Sequence, residues 1–102
     1  MYYSVCLMYK SERGDSQSPL WEERIVLVSA IDEKEAKEKA TALATEYESE
    51  FTVSGGAKVK WNFHQIERVF SIDDNLQDGA ELFSRFLRND EAESILTPFD
   101  DE

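Results

Sequence analysis

The sequence predicts an α+β domain: a mostly antiparallel sheet in the order β-β-α-β-β, with one main helix on one face. Three observations predict it. Two stretches of strand length and strand composition open the chain, residues 2–9 and 20–30. A single segment with helical spacing of its apolar residues follows from Asp32. Two more strand-like stretches, 57–72 and 80–88, come after Ser54-Gly55-Gly56 and after a second group of turn residues. Hairpins on either side of one helix make the sheet antiparallel and lay the helix over one of its faces.

The elements justify themselves in order. Residues 2–9 are rich in Tyr, Val and Leu, side chains that suit a pleated, half-buried surface. Lys10 to Pro19 is polar, holds Gly14, Asp15 and Pro19, and is too long for a tight hairpin. In the second strand Trp21, Glu23, Ile25 and Leu27 point one way and Glu22, Arg24, Val26 and Val28 the other. Its apolar run Ile25–Val28 predicts burial on both faces at that end. Asp32 with Glu35 reads as a capping box, and Ala36, Ala40, Leu43, Ala44, Tyr47 and Phe51 form one helical stripe. Glu33–Lys37 and Glu35–Lys39 are favourable i,i+4 pairs on the opposite side. Gly55-Gly56 reverses the chain. Val59, Trp61 and Phe63 then share a face, and the parity shifts to Ile66, Phe70 and Ile72, which predicts a bulge near Gln65. Asp73-Asp74-Asn75 and Gln77-Asp78-Gly79 are turn chemistry, and a closing strand is expected over 80–88. A short helix follows from Asn89 to Leu96, stopped by Pro98. Residues 1–88 are expected to be a single domain, with 89–102 an acidic segment that is partly ordered or docked.

One helix covers one face of a sheet, yet apolar groups project from both. Ile25 and Leu27 oppose Val26 and Val28, and Leu82 and Phe86 oppose Phe83 and Leu87. A fully buried Leu, Ile, Val or Phe contributes about 1.5–3 kcal/mol. Four or five such groups left in water forgo a sum comparable to a whole domain's stability of ~5–15 kcal/mol. The C-terminal segment, a second copy of the chain, or another protein is expected to cover them.

Composition narrows the function classes. At 102 residues, 41% hydrophobic and 12% aromatic, the chain has room for one modest core and is expected to fold. No apolar run approaches the ~18 residues of a membrane helix. The first nine residues lack a basic region and a cleavage site and read as a strand rather than a signal peptide, so the expected compartment is the cytoplasm. Cys6 is the single cysteine, expected to be a buried, inert strand residue in a reducing environment. A net charge of −11, from 22 acids and 11 bases, argues against nucleic acid or anionic lipid as a direct ligand and suits a basic protein partner.

No catalytic constellation stands out, and no cofactor is expected. His64 is the single histidine and lies in a strand. One His and one Cys do not make a zinc set, and the acids around residues 73–78 lack calcium-loop spacing. Gly55-Gly56 alone is not a phosphate cradle. Glu22 and Glu23 are adjacent in a strand and point to opposite faces, so they cannot act as a carboxylate pair. Features suited to binding are clearer. Glu46, Glu48 and Glu50 cluster at the end of the helix, where its dipole disfavours them. Trp21 stands beside Glu22, Glu23 and Arg24, a mixture that interfaces favour. Asp73 and Asp74 complete the expected partner-binding set.

The stretches Tyr3-Ser4-Val5-Cys6-Leu7 and Leu20-Trp21-Glu22-Glu23-Arg24-Ile25-Val26-Leu27-Val28, the Ala-rich helix, Val59-Lys60-Trp61-Asn62-Phe63 and Gly79-Ala80-Glu81-Leu82-Phe83-Ser84-Arg85-Phe86-Leu87 resemble a bacterial domain-of-unknown-function family of about this length. The likeness covers roughly residues 3–88. It implies one compact domain and carries no activity. The expected function is therefore a non-catalytic protein-binding domain: a small acidic inhibitor or immunity-type protein that neutralises a basic partner such as a toxin nuclease. A homodimer-forming structural module and a small enzyme using His64 are the alternatives.

Overall fold

The structure, a computed structural model, describes residues 1–14, 18–73 and 75–97. It is an α+β fold in the order β-β-α-β-β, closed by a short second helix. β1 (Tyr2–Arg13) and β2 (Trp21–Ser29) form one antiparallel hairpin. α1 (Glu33–Glu46) crosses over to a second hairpin, β3 (Ser49–Thr52) and β4 (Lys58–Ile72). β1 and β4 then pair antiparallel in the centre, and the strand order is β2-β1-β4-β3.

Three expectations are corrected here. β1 runs on to Arg13, through residues expected in the loop, because Lys10 to Arg13 find partners in β4. The strand that completes the sheet is Ser49–Thr52, not 80–88. The helical stripe therefore stops at Tyr47, which caps α1, and Phe51 belongs to a strand. Sequence spacing alone carried the helix too far because Phe51 falls in phase with Tyr47 and Leu43. The helix ends where no residue continues to bury: Glu46, Tyr47, Glu48 and Ser49 are all exposed. Residues 80–88 are extended but join no ladder. They run across the sheet face opposite α1, and are called the arm below.

α1 begins as its sequence dictates. The Asp32 carboxylate accepts from the Glu35 N–H at 2.8 Å, and Glu35 reaches back to the Ile31 N–H. Ala36, Ala40 and Ala44 are fully buried, and their small side chains let the helix lie close to the sheet. Beneath it Tyr3, Val5, Leu7 and Tyr9 of β1 form the core with Val28 and Ala30, and Val26, Trp61, Phe63, Ile66 and Val69 pack around them. The Tyr9 hydroxyl donates to the Ala44 carbonyl at 2.8 Å, a second donor beside the Tyr47 N–H at the helix end.

β4 is one long strand with two register shifts against β1, between Cys6 and Leu7 and between Met8 and Tyr9. His64 and Glu67 are the extra residues: the first turns Ile66 to the helix side with Trp61 and Phe63, and the second restores the earlier alternation, so that Phe70 and Ile72 face the other side rather than sharing a face with Ile66. At the β3–β4 turn Gly55 and Gly56 both have positive φ, +99° and +89°, a conformation that side chains with a Cβ rarely adopt.

The face opposite α1 is partly sealed by the chain itself. Ser4 and Cys6 are buried there, the Ser4 hydroxyl donates to the Leu82 carbonyl, and Phe83 stacks edge-on against Phe70. Arg68 and Arg85 lie over the Phe83 ring. Cover extends over β1 and β4 but not over β2, where Ile25 and Leu27 stay half exposed. α2 (Asn89–Leu96) packs against no other helix or strand.

Candidate functional site

The Lys10 end of the sheet gathers most of the residues singled out from sequence. Trp21 pairs across the hairpin with Lys10. Its ring meets the His64 ring edge-on at 4.9 Å between centroids, and the Lys10 ammonium lies 5.3 Å from its centre. The β4 bulge delivers His64 to this place. A cavity of about 460 Å3 opens beside it, lined among others by Lys10, Glu12, Pro19, Asn62 and His64. The Asn62 amide donates to Glu12 at 3.2 Å. The groove therefore offers an ammonium, a carboxylate, a carboxamide and an imidazole beside a half-exposed indole.

On the helix side of the same end, the Arg24 guanidinium stacks on Tyr47 at 4.4 Å and on Tyr9 at 5.7 Å. Its Nη2 is 3.3 Å from the Glu22 carboxylate. Glu48 accepts from the Phe63 N–H at 2.9 Å, serving an edge of β4 that β3 is too short to reach. Glu50 faces Lys60 across β3 and β4, and Lys60 in turn faces Glu12. Burial pushes the Tyr9 phenol up, with Arg24 opposing and the Glu22, Tyr47 and Glu48 charges adding to the rise. Two of the acids expected to be free thus have structural duties, Glu22 on Arg24 and Glu48 on the β4 backbone.

Trp21, Glu22, Arg24, Glu48 and Glu50 share this end but not one face: Trp21 and Glu50 lie on the face opposite α1, and Glu22 and Arg24 on the helix side. Glu23 points to the opposite face from Glu22 and accepts the Cys6 thiol at 3.5 Å. Glu46 lines a shallow groove between α1 and the free edge of β2. Asp73 is remote. It follows β4 beside Tyr2, and Tyr2 lies eight strand residues, ~26 Å, from Lys10. Its carboxylate accepts from the Ser71 hydroxyl at 3.4 Å. Asp74 lies outside the described residues.

Sequence reasoning missed two contributors to this end, the half-exposed rings of Tyr47 and Phe51. Both were assigned to a buried helical stripe. Their signal was the dense acid pattern around them, which does not accompany a buried face.

Cys6 is 3% exposed, and its thiol is pushed up to about 12, first by burial and then by the Glu23 and Glu67 carboxylates. Among the described residues no three His, Cys, Asp or Glu side chains converge as a metal set. Among them, too, no helix is long and apolar enough to cross a membrane.

The family described as a domain of unknown function, DUF4288, matches residues 2–84. No curated protein and no solved structure matches the chain.

Proposed function

From the chain's belonging to the DUF4288 family, whose description assigns no activity, we propose a non-catalytic protein-binding domain whose acidic, aromatic end receives a basic protein. One observation carries this reading. Trp21, Tyr47 and Phe51, at 47%, 40% and 48% exposure, stand at the end of the sheet that also holds Glu22, Glu48 and Glu50, with Trp21 on the face opposite α1 and Tyr47 and Phe51 on the helix side. Aromatic anchors ringed by charge are what interfaces use to bind and to select. A net charge of −11 favours a cationic partner and repels phosphate backbones. In its finer form the reading is an inhibitor or immunity-type protein acting in the cytoplasm on a basic toxin such as a nuclease.

The test is a binding titration against whichever basic proteins the neighbouring genes encode, at low and at high salt. The expected result is a one-to-one complex whose association slows as salt rises. A Trp21→Ala/Tyr47→Ala double variant is expected to weaken it by at least about tenfold, since each anchor contributes more than about 1 kcal/mol. If no basic neighbour binds, or if the double variant binds unchanged, the reading is wrong. His64→Ala, which removes the ring set edge-on against Trp21, is expected to weaken the complex less than the double variant does.

A further inference from the structure

Six large apolar side chains stay in water around the face opposite α1. Ile25 and Leu27 on β2 are half exposed, Leu82 on the arm is 54% exposed, and Phe86 is wholly exposed. On α2, Ile95 and Leu96 are 59% and 80% exposed. No residue of α2 is buried, and α2 packs against no other helix or strand. Eight residues are too few to hold a helix in water unaided, where even ~12–15 are marginal. Ala92, Ile95 and Leu96 form a stripe at i, i+3 and i+4, with Asp90 and Glu93 on the other side. Such a helix needs a surface. The molecule is drawn out accordingly, with a radius of gyration of 16.4 Å against ~13 Å for a compact chain of this length.

We infer that a second copy of the chain supplies that surface: Phe86 to Leu96 of each chain lies across Ile25 and Leu27 of the other, in a reciprocal two-fold exchange. The root of the arm is held by its own sheet through Ser4–Leu82 and Phe70–Phe83. The two chains therefore meet through the same face. Each brings one donor segment and one acceptor strip, so the exchange closes at two.

Area and charge both fit. The six side chains expose the equivalent of about four whole ones, on the order of 600 Å2 per chain at about 150 Å2 each. A stable interface buries ~800 Å2 per partner. Polar neighbours at the rim make up the difference. The face, the arm and α2 carry Lys10, Lys58, Lys60, Arg68, Arg85 and Arg88 against Glu12, Glu23, Glu50, Glu67, Glu81, Asp90, Glu91 and Glu93. Six bases against eight acids leave this side at −2 on a chain of net charge −11. Two acidic molecules therefore repel each other less here than across their remaining surface. The helix side of the Lys10 end, with Tyr47 and Phe51, stays free for the basic partner proposed above, and the two proposals stand or fall separately.

Sedimentation velocity of the full chain at tens of micromolar tests this, and a dimer is expected. A Phe86→Glu/Leu96→Glu variant is expected to raise the dimer dissociation constant by at least about tenfold while leaving the melting of the fold unchanged. Both sites are exposed in the single chain, so the variant removes no internal packing. A chain carrying Cys6→Ser, Leu27→Cys and Leu96→Cys, treated with a short bis-maleimide, should be joined between chains. A monomer at these concentrations, a cross-link within one chain, or a dimer indifferent to the double variant would overturn the inference.

Discussion

At the scale of single residues, burial decides what each reactive group can do. Cys6 sits under the arm with its S–H directed at Glu23. Its thiolate would be both desolvated and repelled, which is why its pKa rises from 9.0 to about 12. A disulfide reagent is therefore expected to label Cys6 in the native protein far more slowly than in urea, at pH 8. The same shift has a stability consequence. The folded state holds the thiol proton more tightly than the unfolded chain, so the contribution is fully present below pH 9 and is lost as pH rises towards about 12. Urea midpoints measured across that range should fall more steeply for the wild type than for Cys6→Ala. Phe83→Ala opens the cover over this side, and its expected signature is faster thiol labelling together with a loss of about 1–2 kcal/mol. On the other face, Tyr9→Phe removes the hydroxyl that holds the Ala44 carbonyl and should cost about 1 kcal/mol in urea unfolding.

At the scale of elements, local chemistry sets where structures start and packing sets where they stop. Asp32 starts α1 through its bond to the Glu35 N–H, and Asp32→Ala is expected to cost about 1 kcal/mol by chemical denaturation. Ala40→Leu should cost more, about 1–3 kcal/mol, because the fully buried alanine stripe leaves no space between helix and sheet. β4 spends two extra residues, His64 and Glu67, as bulges. The first of them brings the imidazole onto Trp21, so the irregularity of the strand builds the candidate binding end. β3 is only four residues long, and Glu48 supplies by side chain the acceptor that a longer strand would have supplied to Phe63. A Glu48→Ala chain should lose stability modestly, by about 1–2 kcal/mol, if the Phe63 N–H finds no other acceptor.

At the scale of the molecule, the charges and the apolar groups are sorted onto different sides. Half-exposed rings with Glu22, Glu48 and Glu50 collect at the Lys10 end, and the exposed apolar surface spreads over β2, the arm and α2. A molecule built this way can hold a second copy by one side and a cationic protein by another. Salt separates the two. Rising ionic strength is expected to slow association with a basic partner while leaving self-association largely intact, because screening acts on exposed charges and not on apolar burial. Parallel titrations at two salt concentrations would show it.

The sequence by itself determined the class of the fold, the two strands of the first hairpin, the start of α1, the glycine turn and an irregularity in β4 near Gln65. Each of these is written in contacts a few residues apart: a cap at Asp32, a positive φ at Gly55 and Gly56, an alternation along Trp21–Val28. Only the tertiary structure decided which extended segment completes the sheet. Residues 49–52 and 80–88 are both compatible with a strand, and pairing depends on a distant edge that local periodicity does not contain. The same holds for the site. Arg24 and Tyr47 meet, and Glu48 reaches Phe63 beside them, because hairpin, helix and sheet converge at one end, while Asp73 sits ~26 Å away despite equal promise as an acid. Side-chain chemistry is local and legible, and adjacency across the fold is not.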